Sequence, residues 1–334
     1  MWKHYALGLA ISLAALYFFF STVSLAEVGH ALGRMNPWWL VPSVLVLAGT
    51  FWLRAWRWHF LMRPVKRLGL GPLMSAMMVG FLANNILPAH MGEVVRAVVL
   101  GRQRRVSVSA TMATIVMERV CDGLSVLLML LLVLLFIEPP AAAGGGAITL
   151  EGLRIAGWAG LALFAGVLVV LQAFRRWRAA SLRALAWCMR PLPERLSAKV
   201  LDLADAFIDG LAVARAADML WVVLLSLAIW AAYGLWAWTL LPAFDLALGF
   251  WAGALVEVVL ALALVIPAAP GFVGTFHVAA SASLIFLGVD ATVAASYALV
   301  LWLLHFVYTC GAGLYYFWRL GLGWRDITTQ RREP

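Results

Sequence analysis

A chain of 334 residues that is 64% hydrophobic and only 12% charged has no polar stretch long enough for a separate soluble domain. The formal net charge of +9 suggests nucleic acid, but the basic residues cluster beside apolar runs, which excludes that partner and fits the flanks of membrane spans. Mean hydropathy of +0.94 and 17 tryptophans fit one membrane domain, residues 1–334, with interfacial aromatic belts.

In chain order, the first apolar run, Tyr5 to Ala26, reads as a retained span. It is long for a signal segment, and no small-x-small cleavage pattern precedes a soluble domain. A second span covers about 38–58. The stretches 72–87 and 91–100 are too short to cross and flank Asn84-Asn85-Ile86-Leu87-Pro88-Ala89-His90-Met91-Gly92-Glu93. A third span follows at about 118–137, then a Gly-rich external loop, 138–152. Further spans cover about 153–172, 219–241 and 291–318, each near the ~20 apolar residues that a crossing needs. Between two of them, segment 175–218 carries Leu196, Val200, Leu203, Phe207 and Leu211 at helical spacing, with Asp202, Asp205 and Asp209 between them. It reads as an amphipathic helix on the cytoplasmic side, lying on the membrane or on the domain's own face. Stretches 249–266 and 271–287 flank Pro267, Pro270, Gly271 and Gly274, and residues 319–334 form a cytoplasmic tail.

Pro88/Gly92 and Pro270/Gly274 repeat one pattern, Pro-x-x-x-Gly, at matching places in the two halves. Proline removes a backbone donor and glycine permits unusual dihedrals. In lipid such breaks are tolerated only inside protein or beside a wet cavity. Arg54, Arg57, Arg63, Lys66 and Arg67 precede the first broken segment, and Arg102, Arg104 and Arg105 follow it. Positive charge marks the cytoplasmic side, so segment 72–100 is expected to leave and return on one side as a re-entrant hairpin, and 249–287 likewise. The expected fold is all-α: halves 1–137 and 153–318, each span, span, hairpin, span, the second inverted relative to the first. Six full spans place both termini in the cytoplasm. Paired broken helices point to a site near the bilayer midplane.

Ionisable groups at membrane depth are costly, so each is a functional candidate. Glu93 and Arg96 are three apart and share a helix face. They are candidates for an internal ion pair, or for a site in which Arg96 meets a phosphate and Glu93 orients it. Asn84 and Asn85 can donate to a phosphate, cap a half-helix or satisfy broken backbone, and the half-helix after Pro88 offers free N–H groups to an anion. Glu118, Arg119 and Asp122 open the next span, where an interfacial salt-bridge network competes with a substrate site. His90 completes the substrate-binding candidates. Glu257 lies in an apolar helix and His277 follows Gly274; both are candidates for proton coupling or for simple structural burial. His305 and Tyr308 are weaker candidates. Cys121, Cys188 and Cys310 show no paired spacing, so neither a zinc site nor a disulfide framework is expected. Metal, Gly-x-Ser-x-Gly and P-loop signatures are missing, and no cofactor is expected.

The run Asn84 to Arg96, N-x-x-L-P-x-x-x-G-E-x-x-R, resembles the first signature of the lysylphosphatidylglycerol synthase transmembrane family. So does Glu118-Arg119-x-x-Asp122, and the stretch Pro267/Pro270-Gly271-x-x-Gly274 looks like the family's later signature. The resemblance covers nearly the whole chain. It implies a flippase-like protein of the bacterial inner membrane, here without the aminoacyl-transferase domain that some members carry. The chain departs from the family pattern at His90, Phe272 and His277.

These readings converge on translocation of an anionic lipid or lipid-linked headgroup between leaflets, without enzymatic chemistry. The resemblance implies a phospholipid, a polyprenyl-linked glycan or a hopanoid as substrate. A second copy of the chain and lipid-biosynthesis enzymes are candidate protein partners. Two alternatives stay open: an intramembrane lipid-modifying enzyme using His90 or Glu93, and a non-transporting scaffold of a lipid-biosynthesis complex docking through residues 196–211.

Overall fold

The computed structural model describes residues 25–87, 91–137, 216–265 and 270–323, and parts of 151–205. Among these residues every element is helical. In order they are α1 (Leu25–Arg34), a 3-10 turn (Pro37–Trp39), α2 (Leu40–Met62), α3 (Leu70–Ile86), α4 (Gly92–Arg104), α5 (Val108–Phe136), α6 (Arg178–Cys188), α7 (Ala216–Leu240), a 3-10 turn (Leu241–Phe244), α8 (Phe250–Ala263), a 3-10 turn (Pro270–Phe272), α9 (Thr275–Phe286) and α10 (Ala291–Arg319).

Pro37–Met62, Val108–Phe136, Ala217–Phe244 and Ala291–Arg319 are 26 to 29 residues long and apolar enough to cross a bilayer. The protein is therefore a helical, multi-pass membrane protein. The expected spans 38–58, 118–137, 219–241 and 291–318 each fall on one of these four. One boundary needs correction: α5 starts ten residues before Glu118, because Ser107 caps it by accepting from the Ala110 N–H at 3.3 Å. Charge at Glu118 suggests a membrane edge only if its partners are water, and they are protein. Asp290 caps α10 in the same way as Ser107, accepting from the N–H groups of Thr292 and Val293. The expected span 5–26 lies almost wholly outside the described residues, as do the loop 138–150 and the tail from 324. Of span 153–172 and segment 175–218 only parts are described. Those parts include α6, none of whose residues is buried, and an exposed ion pair between Arg178 and Asp205 at 2.8 Å.

The short helices pack in two pairs, α3 on α4 and α8 on α9. Around them the contacts repeat between the halves. α2 meets α3 as α7 meets α8, and α4 meets α5 as α9 meets α10. α3 meets α10 as α8 meets α5, and α2 lies along α7. The first pair closes so tightly that a Cβ on Gly80 would sit 2.8 Å from the Gly92 carbonyl oxygen. In the second, Gly274 turns the chain at φ +90°, a conformation that L side chains rarely adopt. The Pro270–Phe272 turn packs on α3, and the Trp302 indole donates to the Gly271 carbonyl at 2.8 Å. At the other end of the first pair, the Lys66 ammonium donates to the Arg104 carbonyl at 2.7 Å, so the chain entering α3 and the chain leaving α4 meet. The core holds Leu47, Phe51, Trp58, Met77, Met78, Trp236 and Tyr297, all fully or almost fully buried. A smaller cluster joins Val126, Leu130 and Val133 of α5 to Leu255 and Val258 of α8.

Candidate functional site

The helical period sets the site. On α2, Phe51, Arg54, Ala55, Trp58 and Met62 recur at three- and four-residue steps and all face inward. The same stripe that buries aromatic rings therefore buries Arg54, and Arg57 lies beside it with no exposed surface. On α5 the inward stripe carries Glu118, Cys121, Asp122 and Ser125. α4 contributes Arg96, and α7 contributes Ser226, Trp230 and Tyr233.

These residues form one ion-paired network. Glu118 has no exposed surface, and its Oε2 accepts from the Arg96 Nη2 at 2.8 Å. Around its Oε1 stand Arg57 at 3.2 Å, Arg119 at 3.3 Å and Arg54 at 3.8 Å. Asp122 accepts from Arg57 and, at 3.3 Å, from the Trp230 indole, and pairs with Arg119 at 3.1 Å. Arg57 also donates to the Ser226 hydroxyl at 3.0 Å. Arg119 reaches outward to Glu93 at 3.5 Å. The Arg96 guanidinium lies flat over Trp58, 3.5 Å from the ring centroid, while Arg54 faces Tyr233 at 5.1 Å. The network holds Arg54, Arg57, Arg96 and Arg119 against Glu93, Glu118 and Asp122, a surplus of one positive charge over ion-paired carboxylates. The Nε groups of Arg54, Arg57 and Arg96 are buried and donate to nothing among the described residues. Buried donors are nearly always satisfied, so these three are the donors of the network still open to a further acceptor.

Several expectations need correction. Arg54 and Arg57 are not exposed as Arg63, Lys66 and Arg67 are; they are 6% and 0% exposed and anchor the network. Glu93 and Arg96 do not pair with each other. The turn of α4 directs Arg96 inward to Glu118 and leaves Glu93, part exposed, to Arg119. Glu118 and Asp122 are not interfacial groups facing water, since both are buried. Asn84 takes the capping role among those open to it: its Oδ1 accepts from the Gly92 N–H at 2.7 Å and so satisfies the first backbone donor of α4. Asn85 donates to the Thr309 hydroxyl at 2.9 Å and to the Cys310 sulfur at 3.3 Å, joining α3 to α10. Pro88, His90 and Pro267 lie outside the described residues.

In the second half, Glu257 of α8 is 6% exposed, and one of its carboxylate oxygens has no hydrogen-bond partner among the described residues. His277 is buried, accepts from the Gly274 N–H at 3.3 Å and packs on Trp302. Gly274 and His277 together close the N-terminus of α9, while Pro270 and Gly271 form the turn before it. His305 and Tyr308 pack on Phe51. No group of three or more His, Cys, Asp or Glu side chains placed to hold a metal occurs among the described residues.

The chain matches the family model of the lysylphosphatidylglycerol synthase TM region over residues 5–313. It belongs to that family. Both helix pairs and every residue of the charge network fall within the matched range. A relative described as a UPF0104 membrane protein, from Methanothermobacter thermautotrophicus, is 24% identical over 176 residues, which cover 51% of this chain and 47% of the relative. The chain therefore spans about half the length of the curated relative that it matches. No solved structure matches it. For a member of this family, Arg54, Arg57, Trp58, Ser226, Trp230 and Tyr233 are the site residues that sequence reading missed. The available signal was Arg54 and Arg57, three apart beside Trp58, inside the apolar run of α2.

Proposed function

We propose that this protein moves a lipid with an anionic, phosphate-bearing headgroup between the leaflets of the bacterial cytoplasmic membrane, acting as a transporter and not as an enzyme. The carrying observation is the buried network of Arg54, Arg57, Arg96 and Arg119 around Glu118 and Asp122, with three guanidinium Nε donors unused. A charged headgroup does not cross hydrocarbon unaided. A preformed set of guanidinium forks can replace its hydration shell, because each fork matches phosphate oxygens in pairs. Carboxylates hold the set together while the headgroup is absent and are displaced, one contact at a time, when a phosphate enters. Arg96 is the primary ligand in this reading, with Trp58 fixing the plane of its guanidinium.

The re-entrant reading of the two helix pairs is supported by the Lys66–Arg104 contact, which brings both ends of the first pair to one end of the molecule. The inverted-repeat reading is supported by the matched helix contacts of the two halves. Glu257, buried in α8 with one carboxylate oxygen unpartnered among the described residues, is the candidate coupling group of the second pair.

Reconstitution of the full chain into liposomes tests the function. With headgroup-labelled phosphatidylglycerol and an impermeant quencher, transport exposes label from both leaflets and Arg96→Ala confines quenching to the outer one. Chemical change of the lipid, read by mass spectrometry, would reassign the protein as a lipid-modifying enzyme. Neither movement nor change would leave a scaffold.

A further inference from the structure

A second basic feature lies where the chain enters and leaves the first helix pair, apart from the buried network. The linker between α2 and α3 and the end of α4 enclose a groove of about 550 Å³, lined by Lys66, Arg67, Leu68, Gly69, Pro72, Gln103, Arg104 and Arg105. The lining contains four cations and no carboxylate. Lys66 is engaged by the Arg104 carbonyl, but Arg67, Arg104 and Arg105 are exposed and make no ion pair among the described residues. The Gln103 amide nitrogen is buried and has no hydrogen-bond partner. Arg105 holds φ +50° and ψ +57°, the left-handed cap position that glycine usually fills, so the chain accepts local strain to place a cation there. Like charges gathered in a concave site repel one another unless a counter-ion occupies it. The volume is that of a small-ligand pocket.

We propose that this groove is a docking site for the phosphodiester headgroup of an anionic lipid in the adjoining leaflet. Arg67, Arg104 and Arg105 hold the phosphate oxygens, and the Gln103 amide donates to the headgroup. The groove opens at the ends of membrane-inserted helices, where clustered Lys and Arg side chains meet lipid headgroups rather than bulk anions. Its occupancy does not depend on transport through the buried network.

The test places the full chain in phosphatidylcholine nanodiscs containing phosphatidylglycerol with a photoreactive group on the headgroup, and maps the cross-links by peptide mass spectrometry. Cross-links are expected within residues 66–72 and 103–105. The triple variant Arg67→Gln/Arg104→Gln/Arg105→Gln lowers their yield more than about tenfold, and Arg67→Gln alone, which changes only an exposed linker residue, lowers it about fivefold. Unchanged yield in Arg67→Gln and in the folded triple variant overturns the site. Cross-links confined to α2 and α5 around Arg57 and Glu118 overturn it as well. Displacement of the lipid by millimolar inorganic phosphate overturns the lipid assignment in favour of a soluble anion.

Discussion

At the scale of single residues, Glu118 holds the network together. Its carboxylate is the shared counter-ion of Arg54, Arg57, Arg96 and Arg119, and it has no contact with water. Glu118→Gln leaves those cations facing one another in the interior, and the expected loss is about 3–5 kcal/mol, read as a lowered Tm of the detergent-solubilised protein. Arg96→Ala behaves differently, because Glu118 keeps its three other arginines. The stability loss should stay near 1–3 kcal/mol. Lipid movement should fall at least about tenfold, equivalent to ~1.4 kcal/mol in the barrier. Arg96→Lys should recover part of the movement, since an ammonium keeps the charge but lacks the planar fork and its stacking on Trp58. Wild-type transport by Arg96→Ala would remove Arg96 as the phosphate ligand. Much of this site was legible in the sequence: Glu118, Arg119 and Asp122 announce a charged helix face by spacing, and Arg96 by its depth after a proline break. Arg54 and Arg57 were not, because charge near the end of an apolar run reads as a membrane flank until the partner helices are placed.

At the scale of helices, the first pair depends on two glycines facing each other. A Cβ on Gly92 would collide with the Gly80 carbonyl and with the Asn84 side chain that caps α4, and a Cβ on Gly80 would meet the Arg96 Cβ at 2.9 Å. Replacing a helical glycine by alanine normally gains up to ~1 kcal/mol. Here Gly80→Ala and Gly92→Ala should each lower Tm and transport together, because opening the pair shifts Arg96 away from Glu118. Gly49→Ala on α2, where an added Cβ meets nothing within 4 Å, is the matched control and should be neutral or mildly stabilising. Equal effects at all three positions would show that close packing of α3 and α4 is not what those glycines provide. The breaks themselves were readable, since Pro88, Gly92, Pro270 and Gly274 interrupt apolar runs too short to cross. The early start of α5 was hidden, because a buried Glu118 and a boundary Glu118 look alike in one dimension.

For the whole molecule, the decisive question is which loops share a side. The contact between Lys66 and the Arg104 carbonyl places both ends of the first helix pair together. Single cysteines at Arg67 and Arg105, introduced with the exposed Cys188 replaced by serine, should react with an impermeant maleimide from one side of the membrane only. Labelling from opposite sides would replace the re-entrant pair by an odd number of crossings and end the inverted-repeat reading. The two halves meet where α2 lies along α7. Glu118 and Glu257 are 139 positions apart in the chain (257 less 118), on helices α5 and α8 that only the packing of the halves brings together.

What the sequence by itself determined is the solvent and the elements. Hydropathy sets the membrane as environment, run length sets which helices cross, and proline and glycine set where short helices break, because each acts through local backbone chemistry or a sum over neighbours in the chain. What only the tertiary structure decided is who neutralises whom. An arginine's partner is chosen by direction and distance across helices, and in a low-dielectric interior that choice separates a buried ion-pair network from a row of charges at a membrane edge. Arg54, Arg57 and Arg96 took their roles from Glu118, a residue on another helix, and no local pattern around any of them encodes that meeting.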